Sequence, residues 1–186
     1  ERLREAMRTR VTLDDKLPAE LGGYYLTPAE RFPRVELVNN TLFSHRARSF
    51  LIKSRNVLVE GNRFHGATST AIQCGAETPW WESGPVQQVV IRNNPFRACG
   101  SGSEVRHGAT AVSVELEAPR REHAVNRDIL IEGNVVEGLG NPCAFYIGNT
   151  EGAVVRSNRV SRCREVAIVE QSRAVRVEDN QLEAGP

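Results

Sequence analysis

Trp80 and Trp81 stand side by side in the segment Gly75-Ala76-Glu77-Thr78-Pro79-Trp80-Trp81-Glu82-Ser83-Gly84, with acids on both sides. They are the only two tryptophans of the protein. Aromatic rings beside carboxylates suit a sugar: the ring stacks on C–H faces, and the acids accept hydroxyl protons or take part in hydrolysis. The same tryptophans could instead pin their loop to the protein surface, and Glu82 could equally be a surface acid. A second acid-bearing stretch runs from Glu115 through Glu117 to His123. His45, His65, His107 and His123 keep no consistent spacing to one another or to an acid, so they read as surface residues rather than general bases. Cys74, Cys99, Cys143 and Cys163 show no CxxC spacing and no paired histidines, which argues against zinc. Cys99 and Cys163 each fall five residues after a recurring asparagine. All four are expected to be small buried apolar residues. No metal and no cofactor is expected.

The bulk numbers exclude several partners. Twenty-four Lys and Arg against 23 Asp and Glu leave a net charge of +1, too small to attract a polyanion. The arginines are dispersed among glutamates, without the basic stripe and interleaved aromatics of a nucleic-acid surface. No apolar run approaches the roughly 18 residues of a membrane span. The chain starts at Glu1, not Met, so a longer precursor is expected. Secretion or a periplasmic location would follow from a signal peptide upstream.

The elements that must position these residues are announced by an asparagine. It ends a short aliphatic strand at Asn40, Asn62, Asn94, Asn134, Asn158 and Asn180, at spacings of 22, 32, 40, 24 and 22 residues. Two residues later comes an apolar residue: Leu42, Phe64, Phe96, Val136, Val160 or Leu182. A period near 22 with two stretched intervals is the signature of a solenoid with loop insertions. Before each asparagine, alternation sends two aliphatic side chains inward and charged ones outward. A further strand in each rung places Phe50, Ile72, Val112, Phe145 and Ile168 on one inward column. Ile52, Cys74, Val114 and Ile147 form another, which frays at Glu170. Gln73, Ser113 and Tyr146 then point outward, with Lys53 and Glu115 in the adjacent column.

Three strands per rung and no helical periodicity describe an all-β, right-handed parallel β-helix of the pectin-lyase-like kind, with about six rungs. At the inter-strand spacing the stack is about 25–30 Å long. The asparagines should hydrogen-bond to one another along the axis, and asparagine tolerates the left-handed backbone of a sharp turn. Residues 1–33 do not repeat: Glu1 to Arg10 reads as a short helix and the rest as an irregular lead-in broken by prolines. Residues 34–186 form the repeat domain. With no amphipathic cap in sight, they are expected to be part of a longer β-helix or to adjoin a further domain.

Arg46-Ala47-Arg48-Ser49-Phe50-Leu51-Ile52, the strand Val57 to Asn62, the loop ending Trp80-Trp81-Glu82-Ser83-Gly84 and the strand Val89 to Asn94 together resemble glycoside hydrolase family 110. Those are α-1,3-galactosidases built on a right-handed β-helix. The resemblance extends from about Arg34 to Asn158. It implies that Arg46, Arg48, Trp80, Trp81, Glu82 and Glu117 line a sugar-binding groove for a galactoside-like ligand, with Glu82 and Glu117 as candidate catalytic carboxylates. The family hydrolyses with inversion through aspartates that include an adjacent pair, in rungs preceding the Arg-Ala-Arg segment. Here the only adjacent pair, Asp14-Asp15, sits in the proline-rich lead-in. The loop also has Ala76 where an aspartate is expected, and Glu115-Leu116-Glu117 in place of Tyr-Pro-Glu. Three readings follow: part of a hydrolase, inactive alone; a non-catalytic carbohydrate-binding module; or a structural spacer.

Overall fold

The structure is a computed structural model, and it describes residues 12, 14, 16, 31–80, 82–102 and 109–183. The expected helix over Glu1–Arg10 lies outside the described residues, as does nearly all of the lead-in.

The first rung consists of β1 (Val35–Val38), β2 (Thr41–Phe43) and β3 (Phe50–Ile52). The second is β4 (Arg55–Glu60), β5 (Arg63–His65) and β6 (Ile72–Cys74), and the third β7 (Gln87–Arg92), β8 (Pro95–Arg97) and β9 (Val112–Val114). In the fourth, β10 (Asn126–Glu132) is followed by one long strand, β11 (Val135–Gly148), that turns the corner without a break. The fifth repeats this with β12 (Thr150–Arg156) and β13 (Arg159–Glu170), and the sixth ends on β14 (Arg173–Glu178) and β15 (Gln181–Glu183). Strands β1-β4-β7-β10-β12-β14 stack in one sheet, and β2, β5 and β8 join β3, β6 and β9 in a second through β11. Every strand pairing is parallel. Parallel neighbours joined by crossovers wind right-handed for chiral reasons. The described residues form a right-handed parallel β-helix of six rungs.

Alternation creates the core. Val57 and Val59, Val89 and Ile91, Ile129 and Ile131, and Ala153 and Val155 are buried on the inner face of the first sheet. Opposite them, Leu42, Phe64, Phe96, Val136, Val160 and Leu182 share one register column. Phe64 and Phe96 stack at 4.7 Å between ring centroids. On the outside, arginines and glutamates alternate along the stack, as in the Arg92–Glu60 and Arg156–Glu132 pairs at 2.9 and 2.7 Å. Exposed pairs of this kind contribute little each.

The asparagine ladder is continuous. Each Nδ2 donates to the Oδ1 of the next rung at 2.9–3.1 Å, from Asn40 to Asn180. The backbone N–H of each also donates to that Oδ1. Asn62, Asn94, Asn134 and Asn158 are buried, so these bonds satisfy amides that would otherwise be costly. The left-handed backbone, however, belongs to the residue before each ladder asparagine. Asn39, Gly61, Asn93, Gly133, Ser157 and Asp179 have φ between 54 and 66°. The ladder asparagine must present its side chain inward along the axis, so its predecessor makes the turn.

A second correction concerns the last inner column. Phe145 pairs with Ala167, and Ile168 pairs with Tyr146 on the outward column. Glu170 pairs with Gly148. Matching the alanine of Ala167-Ile168-Val169 to that of Ala144-Phe145-Tyr146 sets the column one residue out, because Ala167 itself stands opposite Phe145. Between Glu137 and Asn141 β11 also takes two more residues than β13, so counting from the asparagines would put Val169 there instead.

The four cysteines are free thiols; Cys74, Cys99 and Cys143 are buried and Cys163 is partly so. Burial pushes the Cys74 and Cys143 thiols up to about 12 and Cys163 up to about 11. Thiols held this far up stay protonated and unreactive at neutral pH.

Candidate functional site

Where β6 ends, the chain continues extended alongside the strand after β9. Glu115 N donates to Cys74 O at 3.0 Å, Glu117 N to Ala76 O at 2.9 Å and Thr78 N to Glu117 O at 2.8 Å. Gly75 permits this approach. A Cβ there would lie 1.8 Å from the Glu115 carbonyl oxygen, and its φ of +128° suits only glycine. After Glu77 a 3-10 turn over Thr78–Trp80 reverses the chain. Glu82 then pairs antiparallel with Glu77 while Glu117 pairs parallel with it. Glu77 bonds to Glu82 through its own N–H and C=O, whereas the Glu117 bonds use Ala76 O and Thr78 N. Glu82 and Glu117 therefore flank Glu77 on opposite edges, and directly paired residues share a face. Three glutamates stand abreast.

The middle one is withdrawn into an ion-pair network. Lys53 Nζ donates to Glu77 Oε2 at 2.6 Å, Gln73 Nε2 to Oε1 at 3.0 Å, and Arg48 Nη2 lies 3.6 Å from Oε1. Arg48 Nε in turn donates to Gln73 Oε1 in a short hydrogen bond. The Glu77 side chain is 6% exposed, against 51% for Glu82. Glu82 Oε2 sits 4.0 Å from the same lysine, and Ser83 Oγ donates to Lys53 O at 2.6 Å, tying the loop down.

The neighbouring outward column is closed over. Gln73, Ser113 and Tyr146 share a register row and are 4%, 1% and 4% exposed. Each side chain lies along its own strand: Gln73 reaches Glu77, Ser113 Oγ donates to Glu115 Oε1 at 2.8 Å, and Tyr146 covers Gly148 while donating to Glu170 Oε2 at 3.1 Å. The expected row of outward side chains is thus not an open groove across the sheet. The accessible rim is Arg48, Glu82, Glu117 and Trp80, with Trp80 68% exposed.

Burial pushes the Glu115 carboxyl above its ordinary 4.5, and Glu117 adds to the rise, while the Ser113 hydrogen bond and Arg121 and Arg48 oppose it. A carboxyl raised in the folded state contributes stability below the unfolded value and loses it as pH rises through the folded one. Glu115→Gln should therefore unfold at a higher temperature than the parent at pH 7–8, and the gap should shrink as pH falls towards 4.5. Thermal scans over that range check it; a gap that widens on acidification contradicts it.

Of the residues expected at a site, Arg48, Trp80, Glu82 and Glu117 come together on this face. Arg46 is exposed, and its backbone carbonyl takes the Thr68 hydroxyl. Trp81 lies outside the described residues, as does His107. Sequence reasoning placed Lys53 and Gln73 outward without linking them, and it passed over Glu77. Counting the alternation on from inward Cys74 makes Gly75 outward, Ala76 inward and Glu77 outward, which is the signal that was available. Among the described residues no group of three or more His, Cys, Asp or Glu is placed to hold a metal ion. No helix among them is long and apolar enough to cross a membrane.

At this outer corner of the parallel β-helix, exposed Trp80 lies in the turn between Glu77 and Glu82, with Glu117 alongside. No family model matches the chain. It is 33% identical over 175 residues to alpha-1,3-galactosidase A of Peterkaempfera griseoplana, covering 91% of this chain and 23% of that relative. It is 31% identical over 155 residues to alpha-1,3-galactosidase B of Akkermansia muciniphila, covering 81% of this chain and 19% of the relative. A third relative, alpha-1,3-galactosidase B of Bacteroides thetaiotaomicron, is 30% identical over 156 residues, 82% of this chain and 25% of its own length. The chain is a homologue of these α-1,3-galactosidases, similar to them over 81–91% of its own length. It spans about a fifth to a quarter of the length of these relatives.

Proposed function

We propose that this β-helix supplies one wall of a galactoside-binding groove in an inverting α-1,3-galactosidase-like glycoside hydrolase. The row Glu117–Glu77–Glu82 beside Trp80 carries the reading. Inverting hydrolysis needs two carboxyl groups about 6.5–9.5 Å apart with a water between them. Glu82 and Glu117 are separated by two strand spacings, about 10 Å at the backbone, and both remain accessible while the glutamate between them is neutralised. Trp80 offers the face on which a galactose C–H surface stacks, and Arg48 offers hydrogen-bond donors to hydroxyls. Arg46 belongs to the same wall, and the family resemblance assigns Trp81 to it as well.

The repeat contains no adjacent aspartate pair of the kind the resemblance leads one to expect, and the relatives are about four times longer. The reading is therefore that residues 1–33 are a lead-in to a repeat domain at 34–186, and that further rungs or a further domain complete the site. This chain alone is then inactive on α-galactosides. Turnover by the chain, abolished by Glu82→Gln, would instead locate hydrolysis within it.

Titration with an α-1,3-linked galactobiose, followed by tryptophan fluorescence, tests the wall directly. A saturable change at millimolar sugar is expected, strongly reduced by Trp80→Ala. A signal unaffected by that substitution, or no signal at all, contradicts the proposal. The Ala76 departure and the lack of an aspartate pair favour one alternative, a non-catalytic carbohydrate-binding module. It shares the titration result but predicts no turnover even when the chain is joined to its upstream sequence.

A further inference from the structure

Three donors from three rung segments converge on one buried carboxylate. Lys53 Nζ, Gln73 Nε2 and Arg48 Nη2 all address Glu77, at 2.6, 3.0 and 3.6 Å. Lys53 follows β3, Gln73 belongs to β6 and Arg48 precedes β3, so the rigid stack, not the loop, sets their positions. Two cations and an amide facing one point make an anion site. The carboxylate filling it comes from the tryptophan loop of the same chain. Glu82, 4.0 Å from Lys53 and half exposed, is the only other acid paired with either cation among the described residues.

We infer that Glu77 is a specificity-determining residue: its side chain occupies the anion site formed by Lys53, Arg48 and Gln73, so that the wall refuses sugars bearing a carboxylate. This rests on the proposed sugar-binding role. Without Glu77, Lys53 and Arg48 would be partly buried cations in need of a counter-charge, and a uronic acid would supply one. With Glu77 in place, an incoming carboxylate meets a filled site and two flanking glutamates, and discrimination comes from repulsion as much as from contact. Exposure of the lysine and arginine side chains is 18% and 35%, enough for a small acid to reach them once the carboxylate is gone.

The test uses Glu77→Ala and the shape-preserving Glu77→Gln, with formate and galacturonate as probes. Formate should raise the unfolding midpoint of Glu77→Ala in a saturable way, because a ligand that binds only the folded state stabilises it. It should do nothing for the parent or for the double variant Lys53→Met/Glu77→Ala. Galacturonate should bind Glu77→Ala about tenfold or more tightly than it binds the parent, the worth of one charge-assisted hydrogen bond. Glu77→Gln, whose amide still fills the site, should gain less. Should Glu77→Ala not fold, Glu77→Ser, which also vacates the site, carries the galacturonate measurement. A folded Glu77→Ala or Glu77→Ser protein that gains no galacturonate affinity overturns the inference. Its failure is distinct from failure of the sugar-wall reading: the parent's response to galactobiose reports on that reading, and gained galacturonate binding stands even where that response is absent.

Discussion

Asn134→Ala should destabilise the protein by about 4 kcal/mol, far more than a typical surface substitution. The side chain is buried and makes four hydrogen bonds: Nδ2 to Ile91 O and Asn158 Oδ1, and Oδ1 from the backbone and side chain of Asn94. Each is worth about 1 kcal/mol net, and the partners left behind are shut off from water. Asn180→Ala makes the contrast. Its residue lies in the last described rung and is half-buried, so water can enter the space its side chain leaves and the loss should be about half as large. Denaturant unfolding of both variants beside the parent measures the difference. Equal losses at the two positions would mean that the ladder acts through turn geometry alone.

Gly75→Ala should be as damaging, and its damage should reach the site. The added carbon would lie inside the Glu115 carbonyl oxygen, and φ of +128° is hostile to any other residue. Overpacking and backbone strain each cost about 1–3 kcal/mol, so a loss of about 2–6 kcal/mol is expected. The strand after β6 would lift from Glu115 and Glu117, carrying Glu77 and Trp80 with it. Loss of the galactobiose-dependent fluorescence in a variant that still folds is the specific signature. A folded Gly75→Ala protein with an unchanged titration would show that the loop does not depend on this contact.

The rungs were legible because two signals keep phase: the aliphatic pair facing inward and the asparagine that closes it. The six-fold recurrence of that pairing names a parallel stack, and the column Leu42 to Leu182 follows from it without adjustment. The slip at Ile168 follows a stretch where phase is lost. Near Gly138, Leu139 and Gly140 β11 takes two residues more than β13, so the asparagine count no longer applies, and matching by alanine puts Ile168 where Ala167 stands. The left-handed turn was one residue out for a similar reason. Asparagine tolerates that backbone, but so do the glycine, serine and aspartate found at the preceding position, and only the hydrogen-bond pattern assigns the roles.

The site was half legible. Trp80 and Glu82 were visible as residue types in a stretched interval, and Glu117 by its match to a family pattern. Glu77 was hidden because it lies in what reads as loop, where alternation is not expected to persist. Its role depends on Lys53 and Arg48, which are 24 and 29 residues away in sequence and are brought near by the stacking of adjacent rungs. Contacts between rungs at one height recur at the rung length, so a search for charge pairs at spacings near 22–24 would have found Lys53 and Glu77.

The ladder also has a direction. From side chain to side chain, each amide from Asn40 to Asn158 donates to the Oδ1 of the rung on its C-terminal side, and each Oδ1 from Asn62 to Asn180 accepts from the rung on its N-terminal side. Asn62, Asn94, Asn134 and Asn158 therefore see the same surroundings although the segments between them differ in length. This makes each stretch from one asparagine to the next an interchangeable cassette, cut at a chemically identical seam. Whole rungs can be excised, duplicated or grafted in the same orientation, with the variable outer segments travelling as cargo.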